Sequence, residues 1–365
     1  MIPLRRIELC VNDCVAFERQ YISLKSCPAC GQSRYSSNNS ARRVFFYMSM
    51  KDRIRRLFAN YETSKLLQSH AEVKLQNVIH DVHETKRWVP NTENPRKVNL
   101  ILNTDGVNPY SIRCNYSMWP VILAIENLPR AVRFDRSNLL LGGIIPAWND
   151  GKETPNINIY SQILINDIED CQDALTYDAY RGDWFHLEVS IVKYVLDYPG
   201  INKLFHLSGS GAYSGCTWCD IRGLYLKNSR KMVYIGYRNY LPADHPLRND
   251  AVFRYKCEEC PKCYSTMDYK KFEDEYNEGN DKERVISFHL LVHIVEDLHN
   301  GPIHTKWMYA FERYNSYITR RVMSRSNPEA CVMRTHRVYD WIFYFKNIGQ
   351  LQTIYEEDED MTGKD

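Results

Sequence analysis

Residues 97–106 read KVNLILNTDG. The run is short, apolar and β-rich, and it stops at Asp105-Gly106. Taken singly, an Asp-Gly pair reads as a turn. At the end of a buried strand it also sets a carboxylate where a sheet edge opens, a place suited to a metal ion. A second stretch has the same construction. WFHLEVSIVKYVLDYPG (184–200) alternates, then becomes continuously apolar, which predicts a buried strand ending at Asp197 and stopped by Pro199. Neighbouring strands would bring Asp105 and Asp197 side by side, and cations would relieve their mutual repulsion. A third carboxylate, Glu312, lies in KWMYAFERYNSYI, on a helix predicted over 307–326. Its apolar neighbours would press that helix onto the sheet, leaving Glu312 as a metal ligand or as a partner for Arg313 or Arg320. Two Mg²⁺ ions held roughly 3.5–4 Å apart by a few carboxylates can activate a water and stabilise a leaving oxygen.

Working outward, Met118–Ile125 predicts a second strand whose start is weakened by Pro120, and the run 138–148 a third, broken by Gly142 and Gly143. Helices are expected over 48–88, 155–175, 287–299, 307–326 and 329–350. The fold class that follows is α/β: a mixed sheet flanked by helices. The expected organisation is a cysteine module at 1–40, a helical segment at 41–96 and a core at 97–224. A polar stretch at 225–285, a C-terminal helical block at 286–350 and an acidic tail at 351–365 follow.

The 365 residues are 44% hydrophobic and 13% aromatic, enough for a packed core and against wholesale disorder. Net charge is +2, which excludes a polybasic nucleic-acid coat and leaves local patches. Arg313, Arg320, Arg321 and Arg325 form the patch expected to face DNA, whereas Lys51, Arg53, Arg55 and Arg56 read as a solvated helix face. MIPLRRIELC has no apolar leader region, and no run approaches the ~20 apolar residues of a membrane helix. A nuclear or cytosolic protein, not a secreted one, is expected.

The 12 cysteines come largely as close pairs, which read as metal sites rather than disulfides. Cys10, Cys14, Cys27 and Cys30 have the spacing of a four-thiolate zinc knuckle, with Gly31 at the turn. The serine- and asparagine-bearing SSNNSARR after it reads as a linker. Cys216 and Cys219 form a second pair. His289 and His293 would share one helix face, so the four could close a structural Cys₂His₂ site. Buried, hydrogen-bonded histidines are the competing reading. Cys257, Cys260 and Cys263 are a rival ligand set.

Together CVNDC, CPACGQSRY, NTDGVNPY, SMWPVILAIENLP, LLLGGIIP, VLDYPGINKL, GCTWC, FHLLVHIVEDL, KWMYAFERYNSYI and SNPEA resemble, in order, the transposases of CACTA (En/Spm) DNA transposons and proteins derived from them. The insertion region between Cys219 and His289 is short for that family. The resemblance implies an RNase H-like fold with Asp105, Asp197 and Glu312 as the Mg²⁺-binding DDE triad. It implies Cys216, Cys219, His289 and His293 as structural zinc ligands. It further implies DNA, as transposon ends and target, as the partner, with no small-molecule cofactor and no membrane, and it allows a homo-oligomer. The reaction would be strand nicking followed by strand transfer. The alternative is a catalytically inactive relic or domesticated DNA- or protein-binding protein stabilised by zinc.

Overall fold

The computed structural model describes residues 2–73, 79–85, 88, 93–110, 116–148, 156–219, 221, 223–226, 230–234, 290, 302, 306–324 and 327–347. His289, His293, Arg325, Cys257, Cys260 and Cys263 lie outside the described residues. So do most of the 225–285 stretch, the 287–299 helix apart from Leu290, and the acidic tail. The chain divides into two compact units, Met1–Leu204 with Asn300–Asp365, and Phe205–His299.

In chain order the first unit contains β1 (Leu4–Leu9), β2 (Arg43–Met48), α1 (Met50–Phe58), α2 (Tyr61–Gln68), β3 (Val98–Thr104), β4 (Trp119–Ile125) and α3 (Arg130–Arg133). It continues with β5 (Leu140–Ile145), α4 (Asn158–Glu169), β6 (Ala174–Asp178), β7 (Asp183–Leu187), β8 (Val189–Tyr194) and α5 (Tyr198–Phe205), whose last residue opens the second unit. After the second unit, with its hairpin β9 (Leu224–Leu226) and β10 (Lys231–Val233), come α6 (Tyr309–Thr319) and α7 (Pro328–Asn347).

Six strands make one mixed sheet in the order β1-β2-β5-β4-β3-β8. β3, β4 and β5 form an antiparallel meander, and β8 lies parallel to β3. Every residue of β3, β4 and β5 is buried. Both faces are covered, which is why these strands read as continuous apolar runs. Side chains alternate between two cores, as the period of two requires. Val98, Leu100 and Leu102 join Trp119, Val121, Leu123 and Ile125 in one core, with α1, α2 and α4. Ile101, Ile122 and Ala124 join the other, with Phe311, Tyr314 and Ile318 of α6 and Val332 and Met333 of α7. Pro120 sits inside β4, and the ladder to β5 slips between Val121 and Ile122, where the missing donor is accommodated.

Several expectations are corrected. The stretch 184–200 is two strands, not one. β7 pairs with β6 in a separate hairpin, and the chain turns at Glu188, whose carbonyl accepts from Val98 N–H at 2.9 Å, before β8 joins β3. The helix expected to run to 175 stops at Glu169, and Ala174 already begins β6. The helix expected over 48–88 breaks at Asn60, whose side chain accepts from Thr63 N–H at 3.0 Å and starts α2. SSNNSARR is a turn leading straight into β2. The α1 basic residues divide: Arg55 is exposed and Lys51 half-buried, but Arg53 and Arg56 turn inward. Arg53 is 2% exposed and donates to Leu141 O and to Asp340 of α7, and Arg56 pairs with the same carboxylate at 2.6 Å. Burial alone would raise Asp340; the two guanidinium charges hold it below the usual carboxylate range.

Candidate active site and metal centre

The parallel pairing of β3 and β8 aligns Leu102 with Tyr194. Three residues further along each strand come Asp105 and Asp197, so the register delivers both carboxylates to the same end of the sheet. Val195 N–H donates to Leu102 O at 2.9 Å, and Asn103 Nδ2 donates to Val195 O at 2.5 Å. These bonds hold the two strand ends together. Asp197 directly precedes α5, and its Oδ1 accepts from Gly200 N–H at 2.6 Å. Such a capping contact fixes the side chain at the start of the helix. A Cβ on Gly200 would lie 2.7 Å from that same oxygen, so the first turn of α5 approaches Asp197 this closely only with glycine there. Asp105 is half-buried, and its Oδ1 accepts from Gly106 N–H at 2.7 Å.

Glu312 lies on the exposed side of α6. The opposite side of that helix is fixed by Phe311, Tyr314 and Ile318 in the core shared with Ile101, Met118 and Val195. Met308, just before α6, and Val107, just past Asp105, pack on the same core. The charges of the other two acids act on Asp105. Partial burial raises the Asp105 carboxyl above its ordinary range, the charge of Asp197 raises it further, and Glu312 adds to the push against the Gly106 N–H.

Asn103 Oδ1, Thr104 Oγ1, Trp119 Nε1, Asn202 Oδ1 and Asn315 Oδ1 are buried without a hydrogen-bond partner among the described residues. All belong to β3, β4, α5 or α6, the elements that carry or flank the carboxylates. Buried polar atoms are nearly always partnered in folded proteins, and further exceptions lie elsewhere, at Arg53 Nε, His336 and Trp341 Nε1. Sequence reading missed two residues here. Trp119 lies against Gly106, and Lys203 of α5 holds its Nζ 4.7 Å from the Trp119 ring centroid. The only signal for Lys203 was its place two turns into the helix after Asp197.

The N-terminal cysteines form a four-thiol group. The Sγ atoms of Cys10, Cys14, Cys27 and Cys30 all lie within 4.8 Å of one another, and Cys10 and Cys30 approach to 3.5 Å. Tetrahedral Zn–S bonds of about 2.3 Å place sulfurs at about this separation. Backbone donors face the sulfurs, as a knuckle requires: Asn12 N–H to Cys10 Sγ at 3.4 Å, and Gln32 N–H to Cys30, which holds that thiol down to about 7. Gly31 turns the chain at φ +72°. Among the described residues no other His, Cys, Asp or Glu group meets this spacing. In the second unit, Cys216 accepts from Trp218 N–H at 3.4 Å and lies near Tyr234, whose hydroxyl donates to Ala212 O.

An unforeseen ion pair anchors the knuckle. Asp13, between Cys10 and Cys14, is fully buried and meets Arg43 of β2 in two bonds of 2.6 and 3.0 Å, with Tyr160 of α4 donating at 3.0 Å. Removing one member of a buried pair strands the other, at about 3–5 kcal/mol. Arg43→Ala should therefore lower the unfolding free energy measured by urea titration by that amount and loosen the knuckle. Unchanged stability would mean that Asp13 finds another partner.

The expected DNA-facing arginines divide. Arg313 and Arg320 are exposed, with Arg313 4.9 Å from the Tyr309 ring centroid. Arg321 is stacked between Tyr317 and Tyr339, 3.7 and 3.6 Å from their centroids, so aromatic packing already engages its planar group.

A family model described as transposase family tnp2 matches residues 79–272, just over half of the chain. The chain belongs to the transposase family tnp2. A second model, a domain of unknown function (DUF4218), matches residues 283–353. No curated protein sequence matches the chain. Within this tnp2 chain, Asp105, Asp197, Cys216 and Cys219 fall in the first match and Glu312 in the second, while the four-thiol knuckle precedes both. No helix among the described residues is long and apolar enough to cross a membrane.

Proposed function

We propose that this protein is a CACTA (En/Spm)-type DNA transposase on an RNase H-like core, with Asp105, Asp197 and Glu312 as its reacting centre. The observation that carries the reading is the β3–β8 register, which brings Asp105 and Asp197 to one end of the sheet, where burial first, then Asp197 and Glu312, raise the Asp105 carboxyl. Three acids whose charges reach one another are unfavourable unless cations share them. When bound, a pair of Mg²⁺ ions would supply activation of the attacking oxygen and stabilisation of the leaving one. The protein's own part is to hold the ligands. Asp197 is fixed as the cap of α5, Asp105 by the end of β3, and Glu312 by the packing of α6. Lys203 adds positive charge near Gly106, suited to a DNA phosphate. The chemistry is hydrolytic nicking followed by attack of a 3′-hydroxyl on target DNA, both displacements at phosphorus. The test is Mg²⁺-dependent nicking by wild-type and Asp197→Asn protein. Equal activity in both leaves a catalytically inactive DNA- or protein-binding relic as the reading.

The four-thiol knuckle is read as a structural zinc site, closed by Cys10, Cys14, Cys27 and Cys30. Metal analysis should find at least one zinc per chain, and Cys27→Ser should remove one equivalent. An unchanged zinc content in that variant would place the metal elsewhere. Cys216 and Cys219, with His289 and His293, are proposed as a second structural site. The nucleus is the compartment this function requires.

A further inference from the structure

The exposed side of α6 carries more than Glu312. Trp307 is 64% exposed and Tyr309 is 59% exposed, at the start of the helix. Tyr309, Glu312, Arg313, Ser316 and Arg320 follow at helical spacing along one side, while Phe311, Tyr314, Asn315 and Ile318 are buried on the other. Met308, between the two exposed rings, packs inward on the core. The inward methionine fixes where its two neighbours stand. Large aromatic rings left in water beside a polar site mark a contact surface. Here they stand one turn before a carboxylate, and the cations stand after it.

We infer that Trp307 and Tyr309 form a stacking platform for unpaired nucleobases of the DNA strand whose phosphodiester lies at the carboxylates. The assignment rests on the reading of Asp105, Asp197 and Glu312 as the reacting centre. Charge complementarity selects nucleic acid as the occupant. Arg313 sits over the Tyr309 ring, and Arg320 continues the same side two turns on from it, so a backbone crossing Glu312 meets cations where phosphates follow. Rings stack on any base, and a paired base is already stacked in its duplex, so the platform favours a strand that is locally open.

The experiment uses the full chain in EDTA, where no strand is cut. Two duplexes of one sequence are compared, one fully paired and one with three unpaired nucleotides, one of them 2-aminopurine. The wild type should bind the open duplex about tenfold more tightly, the size of a single base–aromatic stack, and change the 2-aminopurine emission. Trp307→Ala with Tyr309→Ala should remove the preference and the signal yet keep the affinity for the paired duplex. Trp307→Phe should restore part of both. Equal affinity of the wild type for the two duplexes, or a preference that survives the double alanine variant, overturns the inference and leaves the rings to a protein partner. Asp197→Asn keeps the preference, so loss of nicking in that variant and loss of the platform are read separately.

Discussion

Asp197→Asn should lower Mg²⁺-dependent nicking about a thousandfold and, in the absence of divalent cation, should melt above the wild type. The first effect follows from the cation's share of the barrier. A bound metal contributes several kcal/mol of transition-state stabilisation, and about 4 kcal/mol corresponds to about a thousandfold in rate. The second follows from Asp105. Its carboxyl is raised in the fold by burial, by Asp197 and by Glu312. The unfolded chain therefore releases that proton at a lower pH than the folded one. The fold loses stability as pH rises through the ordinary carboxylate range, and the loss is complete above the raised value. Above that value the wild type carries this penalty in full. Taking away the Asp197 charge removes part of it, and asparagine still accepts from Gly200 N–H as a cap. Adding Mg²⁺ should then raise the melting temperature of the wild type and not of the variant. A variant that melts below the wild type without metal would mean that the three acids are an ordinary solvated cluster.

Acid should unfold this protein early. His70 and His83 are buried around Trp88, with ring centroids 5.2 and 4.4 Å from it. Burial pushes His70 down to about 4, and burial with the Arg133 charge does the same to His83. The hydrogen bonds agree. His70 Nδ1 accepts from Trp88 Nε1–H at 3.1 Å, and an indole can only donate, so an imidazolium there would lose this bond. His336, buried under α6 beside Tyr314 and facing the charges of Arg53, Arg321 and Asp340, is pushed to about 3. Each histidine takes its proton near pH 6.5 when unfolded but only far lower when folded. Stability is full above pH 6.5 and falls as pH drops toward 4, by on the order of 3 kcal/mol for each of His70 and His83. Urea midpoints at pH 7.5 and 5.0 measure the slope, and His70→Gln should flatten it. A midpoint that stays constant across that interval would mean the rings are protonated in the native state.

The apolar runs 97–106, 118–125 and 138–148 announced their strands because all three are buried on both faces, and a continuous apolar run is then a faithful sign. The placement of Asp105 and Asp197 was readable for the same reason, since both follow strands whose pairing the pattern suggested. What escaped depended on contacts between distant segments. WFHLEV and SIVKY look like one strand because both halves are apolar, and only their partners, β6 and β3, separate them. Arg53 looked solvated because the carboxylate that draws it inward lies 287 positions further on. Asp13 was passed over as a spacer between two cysteines, although its partner Arg43 is 30 positions away.

The family match begins at residue 79, yet β1, β2, α1 and α2 all lie upstream of it. β2 lies along β5, where Gly143 is so close that a Cβ would come 2.8 Å from Phe46 O. Tyr47, Met50, Ile54 and Phe58 from the same upstream segment are wholly buried. A fragment cut at the homology boundary would strip that cover and leave β5 as a flat, apolar, unpaired rim, the kind of surface on which chains add to one another. The evolutionary unit and the folding unit of this protein thus have different starting points, and the cysteine knuckle belongs to the second.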